Sequence, residues 1–171
     1  MKANKKIVVF GPDNSGKTTL VQMIVDRCAQ AGYPIEKIKS LGPVSVDKQI
    51  IYTSVNLEKP NAVIFDRFPV IEEATCGVIL RQHDNFSQMP EVVQKFLDGV
   101  DVFIFCNPGL NAILNWGERE QMEGIKENIF QLFFEYCLVY RQLRDMGKTV
   151  IEYNWQVPGC LYEVLREVLS E

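Results

Sequence analysis

"KKIVVFGPDNSGKTTLVQMIVDRCAQ", residues 5–30, decides the architecture. Residues 5–10 form a short apolar run of β-branched and aromatic side chains, the pattern of a buried strand. Residues 16–30 place Leu20, Ile24 and Cys28 on one helical stripe, and "AGYP" ends that helix. Between them "GPDNSGKTT", residues 11–19, matches GxxxxGK[ST] at Gly11, Gly16, Lys17 and Thr18. Glycine at two of these positions opens backbone angles closed to other residues, so successive N–H groups can turn inward on phosphate oxygens. The loop from Gly11 through Pro12, Asp13, Asn14, Ser15 and Gly16 to Lys17, Thr18 and Thr19 is therefore expected to wrap a nucleotide's phosphates. The helix N-terminus adds its positive dipole end. Lys17 would bridge the β- and γ-phosphates and the Thr18 hydroxyl would ligate Mg²⁺. No Asn-Lys-x-Asp follows a later strand, so ATP is expected rather than GTP.

The 171 residues suffice for one domain with a sizeable core, 1–171. Hydrophobic residues make up 47% and charged residues 23%, an ordinary globular balance. Apolar runs are strand-length, so no membrane partner is expected, and the N-terminus lacks a signal-peptide pattern. Five scattered cysteines without a CxxC suit a reduced compartment, and a cytoplasmic protein is expected. One histidine, His83, has no cysteine at zinc-ligand spacing and reads as a surface residue. A net charge of -4 gives no general footprint for nucleic acid, which leaves a local basic groove open.

Strand and helix patterns alternate along the chain. Strands are expected at 5–10, 35–40, 61–66, 100–105 and 148–153. Helices are expected at 16–30, 46–57, 70–81, 90–99, about 124–146 and around 160–169. Strands apolar on both faces and separated by helices predict a three-layer α/β fold, a parallel sheet of about five strands flanked by helices. Ligands in such sheets sit at the carboxyl ends of the strands.

A second signal is "NAVIFDRFP", residues 61–69. Asp66 ends an apolar strand, as a Walker-B carboxylate does. It would hold Mg²⁺ directly or through water, accept a proton from an acceptor hydroxyl, or cap the helix that starts at Pro69. Arg67 carries a fork of donors suited to phosphate. The loop with Asp13 at its third position, followed by "IFDRFP", resembles the thymidylate kinase and deoxynucleoside kinase group of P-loop kinases. "DRFPVIEEATCGVILR" and "EREQMEGIKEN" look most like small thymidylate-kinase-like proteins of bacteriophages, some of which phosphorylate 5-hydroxymethyluracil in DNA. The resemblance implies that Arg67 grips the acceptor or the transferring phosphate and that Asp13 reaches the acceptor sugar. It places the protein in the host cytoplasm if phage-encoded. Only roughly 25 residues separate the second strand from Asp66, fewer than cellular thymidylate kinases use to enclose their acceptor. An open acceptor side would admit a bulkier acceptor, even a polymer, unless a homodimer partner closes it.

The same resemblance puts a lid at about 107–124, where Arg119 would act as an arginine finger or stand as a solvated surface residue. Arg81 would contact acceptor phosphate or favour a helix C-terminus. Glu73 and Phe68 would touch the acceptor's sugar or base. Phe130, Phe133, Phe134, Tyr136 and Tyr140 read as core along a long helix. Trp155, after the last strand, would stack on adenine or wedge between helices. The expected activity is ATP- and Mg²⁺-dependent phosphoryl transfer to a pyrimidine deoxynucleotide acceptor such as dTMP. The alternatives are a kinase for hydroxymethyluracil in DNA, a deoxynucleoside kinase, or a regulatory nucleotide-binding switch or ATPase.

Overall fold

The computed structural model describes residues 3–42, 44–115 and 123–170. The expected strand segments become β1 (Lys6–Phe10), β2 (Glu36–Lys39), β3 (Val63–Asp66), β4 (Val102–Cys106) and β5 (Val150–Tyr153). They pair in parallel in the order β2-β3-β1-β4-β5, with Val9 level with Asp66 on one side and Ile104 on the other. Each strand alternates its side chains between two apolar layers. Val8, Phe10, Phe65, Phe103 and Phe105 enter one layer; Ile7, Val9, Ile64 and Ile104 enter the other. Every one of these is at most 1% exposed, and each such side chain contributes about 1.5–3 kcal/mol of hydrophobic stabilisation.

The helices are α1 (Lys17–Gln30), α2 (Val46–Leu57), α3 (Pro69–Glu72), α4 (Val78–Arg81), α5 (Pro90–Asp98), α6 (Leu110–Leu114), α7 (Ile129–Asp145) and α8 (Cys160–Leu169). Leu20, Val21 and Ile24 of α1 pack with Val164 and Val168 of α8 on one sheet face. Leu132, Tyr136, Val139 and Leu143 of α7 pack on the other, beside α5 and the 69–81 segment. The three-layer α/β fold expected from the strand and helix alternation is therefore present.

Chain order positions the site. The chain leaves central β1 for edge strand β2, returns as β3 beside β1, then crosses to β1's other side as β4. The connections diverge at the carboxyl end of β1, which opens a crevice there. Residues 11–16 lie in that crevice.

Three features differ from expectation. The 70–81 helix is interrupted by a π-helical turn, Glu73–Gly77, between α3 and α4. The long helix starts at Ile129 rather than near Gly124, because Gly124 has φ 82 and Asn128 bonds back to its carbonyl (2.9 Å) before the helix begins. On α7, Phe130 and Phe134 are 54% and 62% exposed; the helix face that meets the sheet carries Leu132, Tyr136, Val139 and Leu143 instead. The core expectation thus holds for Tyr136 and for Tyr140, which stacks on Phe105, and fails for Phe130 and Phe134. Among the described residues, no helix is long and apolar enough to cross a membrane.

Candidate active site

The phosphate loop is held open by its backbone. Gly11 (φ 143), Asn14 (φ 64) and Gly16 (φ 91) all take positive angles, turning the chain around a concavity. A Cβ on Gly11 would lie 2.6 Å from the Cys106 carbonyl oxygen, so β4 leaves room for hydrogen only. Lys17 is 5% exposed and its Nζ donates to the Pro12 carbonyl at 2.7 Å, within the loop itself. Burial, then the Arg67 guanidinium, push its pKa below the ordinary lysine value. Asn14 turns its side chain away, donating to the carbonyls of Ile113 (3.0 Å) and Asn115 (3.1 Å), and so ties the loop to the end of α6. Thr18 and Thr19 are exposed at the start of α1.

Asp66 and Arg67 leave β3 beside this loop. Asp66 Oδ2 lies 3.5 Å from Lys37 Nζ on β2, and Oδ1 is buried with no partner among the described residues. Arg67 has φ 77, an uncommon angle for a residue with a side chain, and its N–H bonds the Val9 carbonyl at 3.0 Å. That bend carries the guanidinium between Asp13 of the phosphate loop and Glu72 of α3, the second pair at 3.1 Å. Burial works against its charge, but Glu72 and Asp13 outweigh burial and raise its pKa. Glu72 also accepts from the buried Tyr136 hydroxyl at 2.9 Å.

Next to this pair the π turn presents Glu73, 4% exposed. It accepts from Arg81 (2.7 Å), from the Asn85 side chain (3.0 Å) and from Gln49 of α2 (3.1 Å). Gly77 makes the Glu73–Arg81 pair possible. A Cβ there would stand 2.8 Å from the His83 carbonyl, 2.9 Å from Glu73 and 3.0 Å from Arg81. The Gln49 amide nitrogen is taken by Glu73 and by the Val44 carbonyl (3.1 Å), which fixes the amide's orientation. Its oxygen is buried and has no partner among the described residues.

Two cavities meet at the phosphate loop. One, of about 750 Å³, is lined by Asp13, Lys17, Thr18, Gln49, Arg67, Glu72, Glu73, Cys76 and Arg81 among others. The second, of about 830 Å³, is lined by Met23, Asn111, Tyr153, Trp155 and Gln156 among others. Asn14, Gly16 and Thr19 line both. Trp155 is 51% exposed on the second wall, and a Cβ on Gly16 would lie 3.2 Å from its indole Cδ1.

The fold thus brings together Asp13, Lys17, Thr18, Arg67, Glu73 and Arg81 around one cavity. Phe68 does not join them: it is 0% exposed, edge-on to Phe65, and its side chain belongs to the core. Asp66 is not among the residues lining either cavity. Arg119 and part of the expected lid lie outside the described residues. Gln49, Glu72 and Tyr136 were missed by sequence reasoning. The adjacent acids in "VIEEATCG" were a visible signal for Glu72, whereas nothing local marks Gln49 or Tyr136.

A magnesium ion fits the donors present. Thr18 hydroxyl and the orphaned Asp66 oxygen are hard oxygen ligands, few enough to leave most of the shell to phosphate and water. Among the described residues no group of three or more His, Cys, Asp or Glu would hold a metal alone.

A parallel five-stranded sheet with this loop between β1 and α1 is the P-loop NTPase fold. The chain is similar to the YorR protein of Bacillus subtilis, solved in complex with phosphorylated GDP, with TM-score 0.68 and 17% identity over 96% of this chain and 94% of that one. It is also similar to deoxyadenosine kinase from M. mycoides, solved with products dCMP and a flexible dCDP, with TM-score 0.61 and 17% identity over 95% and 97%. No family model and no curated protein sequence matches the chain.

Proposed function

We propose that the protein is a P-loop kinase that passes the γ-phosphoryl group of ATP to a deoxynucleotide-type acceptor. The observation that carries this reading is the phosphate loop shared by two cavities of similar size. A nucleotide switch needs one base pocket beside its loop. A kinase needs two, one for the donor base and one for the acceptor. The deoxyadenosine kinase of the same fold supports the assignment.

The cavity with Trp155 takes the donor base, which stacks on the indole. Loop amides and Lys17 hold the phosphates. Bound magnesium would neutralise phosphate charge, with Thr18 and Asp66 holding it. The Asp66 carboxylate lines neither cavity, and its buried, unpartnered Oδ1 supports the metal role. Arg67 faces the acceptor cavity from a fixed position, with Asp13 beside it for the acceptor sugar. Arg81 lines the same cavity, and Arg119 would stabilise charge on the transferring group. Such a site accelerates transfer by positioning and charge stabilisation.

A pyrimidine deoxynucleoside monophosphate such as dTMP is the first acceptor, since Arg67 and Arg81 supply positive charge on that side. A second reading has one specific observation in its favour. Both arginines are already paired, Arg67 with Asp13 and Glu72, and Arg81 with Glu73. A neutral acceptor donating a hydroxyl to Asp13 or Glu72 suits these carboxylates better than a second phosphate does. That acceptor would be a deoxynucleoside, or hydroxymethyluracil within DNA.

Transfer of labelled γ-phosphate from ATP separates the readings. The acceptors are dTMP, dUMP, thymidine, deoxycytidine, deoxyadenosine, and DNA with or without hydroxymethyluracil. Labelled dTDP is the expected product. Labelled nucleoside monophosphate or DNA in its place selects the hydroxyl reading, and no acceptor labelled in the panel contradicts the kinase assignment.

A further inference from the structure

We infer that Tyr136 is a positioning residue: through Glu72, its buried hydroxyl fixes Arg67 toward the acceptor cavity. The inference rests on the acceptor-side reading of that cavity. Tyr136 is 1% exposed on α7, packed against the 69–81 segment. Its hydroxyl donates to Glu72 Oε1 at 2.9 Å, and Oε2 of the same carboxylate accepts from Arg67 Nη1 at 3.1 Å. The terminal torsion of a glutamate is ordinarily broad. A carboxylate tethered at both oxygens has lost that freedom.

Arg67 needs such a hold. Its backbone sits at φ 77, and its side chain remains 26% exposed at the cavity wall. Its other terminal nitrogen meets Asp13, which lies 3.8 Å from Lys17. A continuous chain of polar groups therefore runs from α7 through α3 to the phosphate loop, linking residues 64, 5 and 54 positions apart in sequence.

The plainer account is that a buried hydroxyl needs any partner. Cys76 Sγ lies 3.5 Å away and would serve, but an ionised carboxylate is much the stronger acceptor. The two accounts predict different results for Tyr136→Phe, which keeps the ring and removes one oxygen.

In protein labelled with ¹⁵N-arginine, the Arg67 side-chain Nε–H resonance is identified by its loss in Arg67→Lys. It should shift or broaden in Tyr136→Phe and change likewise in Glu72→Gln. In transfer assays with labelled ATP and dTMP or thymidine, Tyr136→Phe should raise the acceptor KM about fivefold to twentyfold, with the ATP KM within about twofold. In the Glu72→Gln background the same substitution should add less than about twofold. An unmoved Arg67 resonance overturns the proposal, as does an equal rise in both KM values or a full additional loss on top of Glu72→Gln. If the parent protein labels neither acceptor, the acceptor reading fails on its own, and the Arg67 resonance still decides whether Tyr136 holds that side chain.

Discussion

At the phosphate loop one ammonium group works against the fold that carries it. Lys17 is 5% exposed, and burial followed by the Arg67 charge depresses its pKa. A depressed lysine pKa means the charged form is held less well in the folded chain than in the unfolded one. Lys17→Met should therefore unfold at an equal or higher urea concentration than the parent, while phosphoryl transfer falls more than about a hundredfold. Joint loss of stability and transfer would instead make Lys17 a structural link to Pro12. Gly11→Ala should fail differently. The added methyl meets the Cys106 carbonyl at 2.6 Å at φ 143, so stability should drop by about 1–3 kcal/mol in urea melts, and ADP affinity in calorimetry should fall with it. These loop residues were legible in the sequence because the spacing of two glycines and a lysine is itself the geometry. Gln49 and Tyr136 were not, because their partners Glu73 and Glu72 lie 24 and 64 residues away and only the fold brings them together. Phe68 shows the reverse error. It sits one position from Arg67, yet the chain's turn sends one side chain into the cavity and the other into the core.

Among the elements, the π turn Glu73–Gly77 supplies part of the wall of the cavity proposed for the acceptor, and β4 backs the phosphate loop. Gly77→Ala pushes a methyl into the Glu73–Arg81 pair and the His83 carbonyl. It should raise the acceptor KM about tenfold and lower stability by about 1–3 kcal/mol, leaving ADP binding unchanged. Equal loss of ADP binding would show that the turn supports the whole site. At the end of β4, burial raises the Cys106 thiol to about 12, and it raises Cys76 in the π turn to about 11. The folded chain keeps protons that the unfolded chain releases above about pH 9. The stability these thiols contribute is thus whole below that pH and drains as the pH climbs toward 11–12. Urea midpoints taken from about pH 8 to 10.5 should fall less steeply for Cys106→Val than for the parent; parallel curves would contradict this. β1, β3 and β4 were legible as apolar runs between polar turns, whereas β2, with three charged residues in four, gave only a weak strand signal. The π turn was not, since one extra residue in five leaves the hydrophobic period of residues 70–81 nearly intact. Phe130 and Phe134 misled for a related reason. Aromatic character alone suggests core, whereas the phase of α7 is set by Leu132, Tyr136, Val139 and Leu143.

For the whole molecule, strand order places the crevice at the end of β1, and the phosphate loop there divides it into two cavities. On the proposed reading that division distinguishes a transferring enzyme from a switch, and in the sequence only the Asp66–Arg67 pair pointed to it. The acceptor's identity was less legible, because the cavity's charge depends on pairings between α2, α3, the π turn and the phosphate loop. The central claim is that the γ-phosphate goes to a second molecule bound across the loop. Its most direct measurement is the fate of labelled γ-phosphate in a single turnover, followed with and without the acceptor panel. The account predicts that label moves to an acceptor, with release as inorganic phosphate at least about tenfold slower than transfer. Release to water at one rate whether or not an acceptor is present would contradict it.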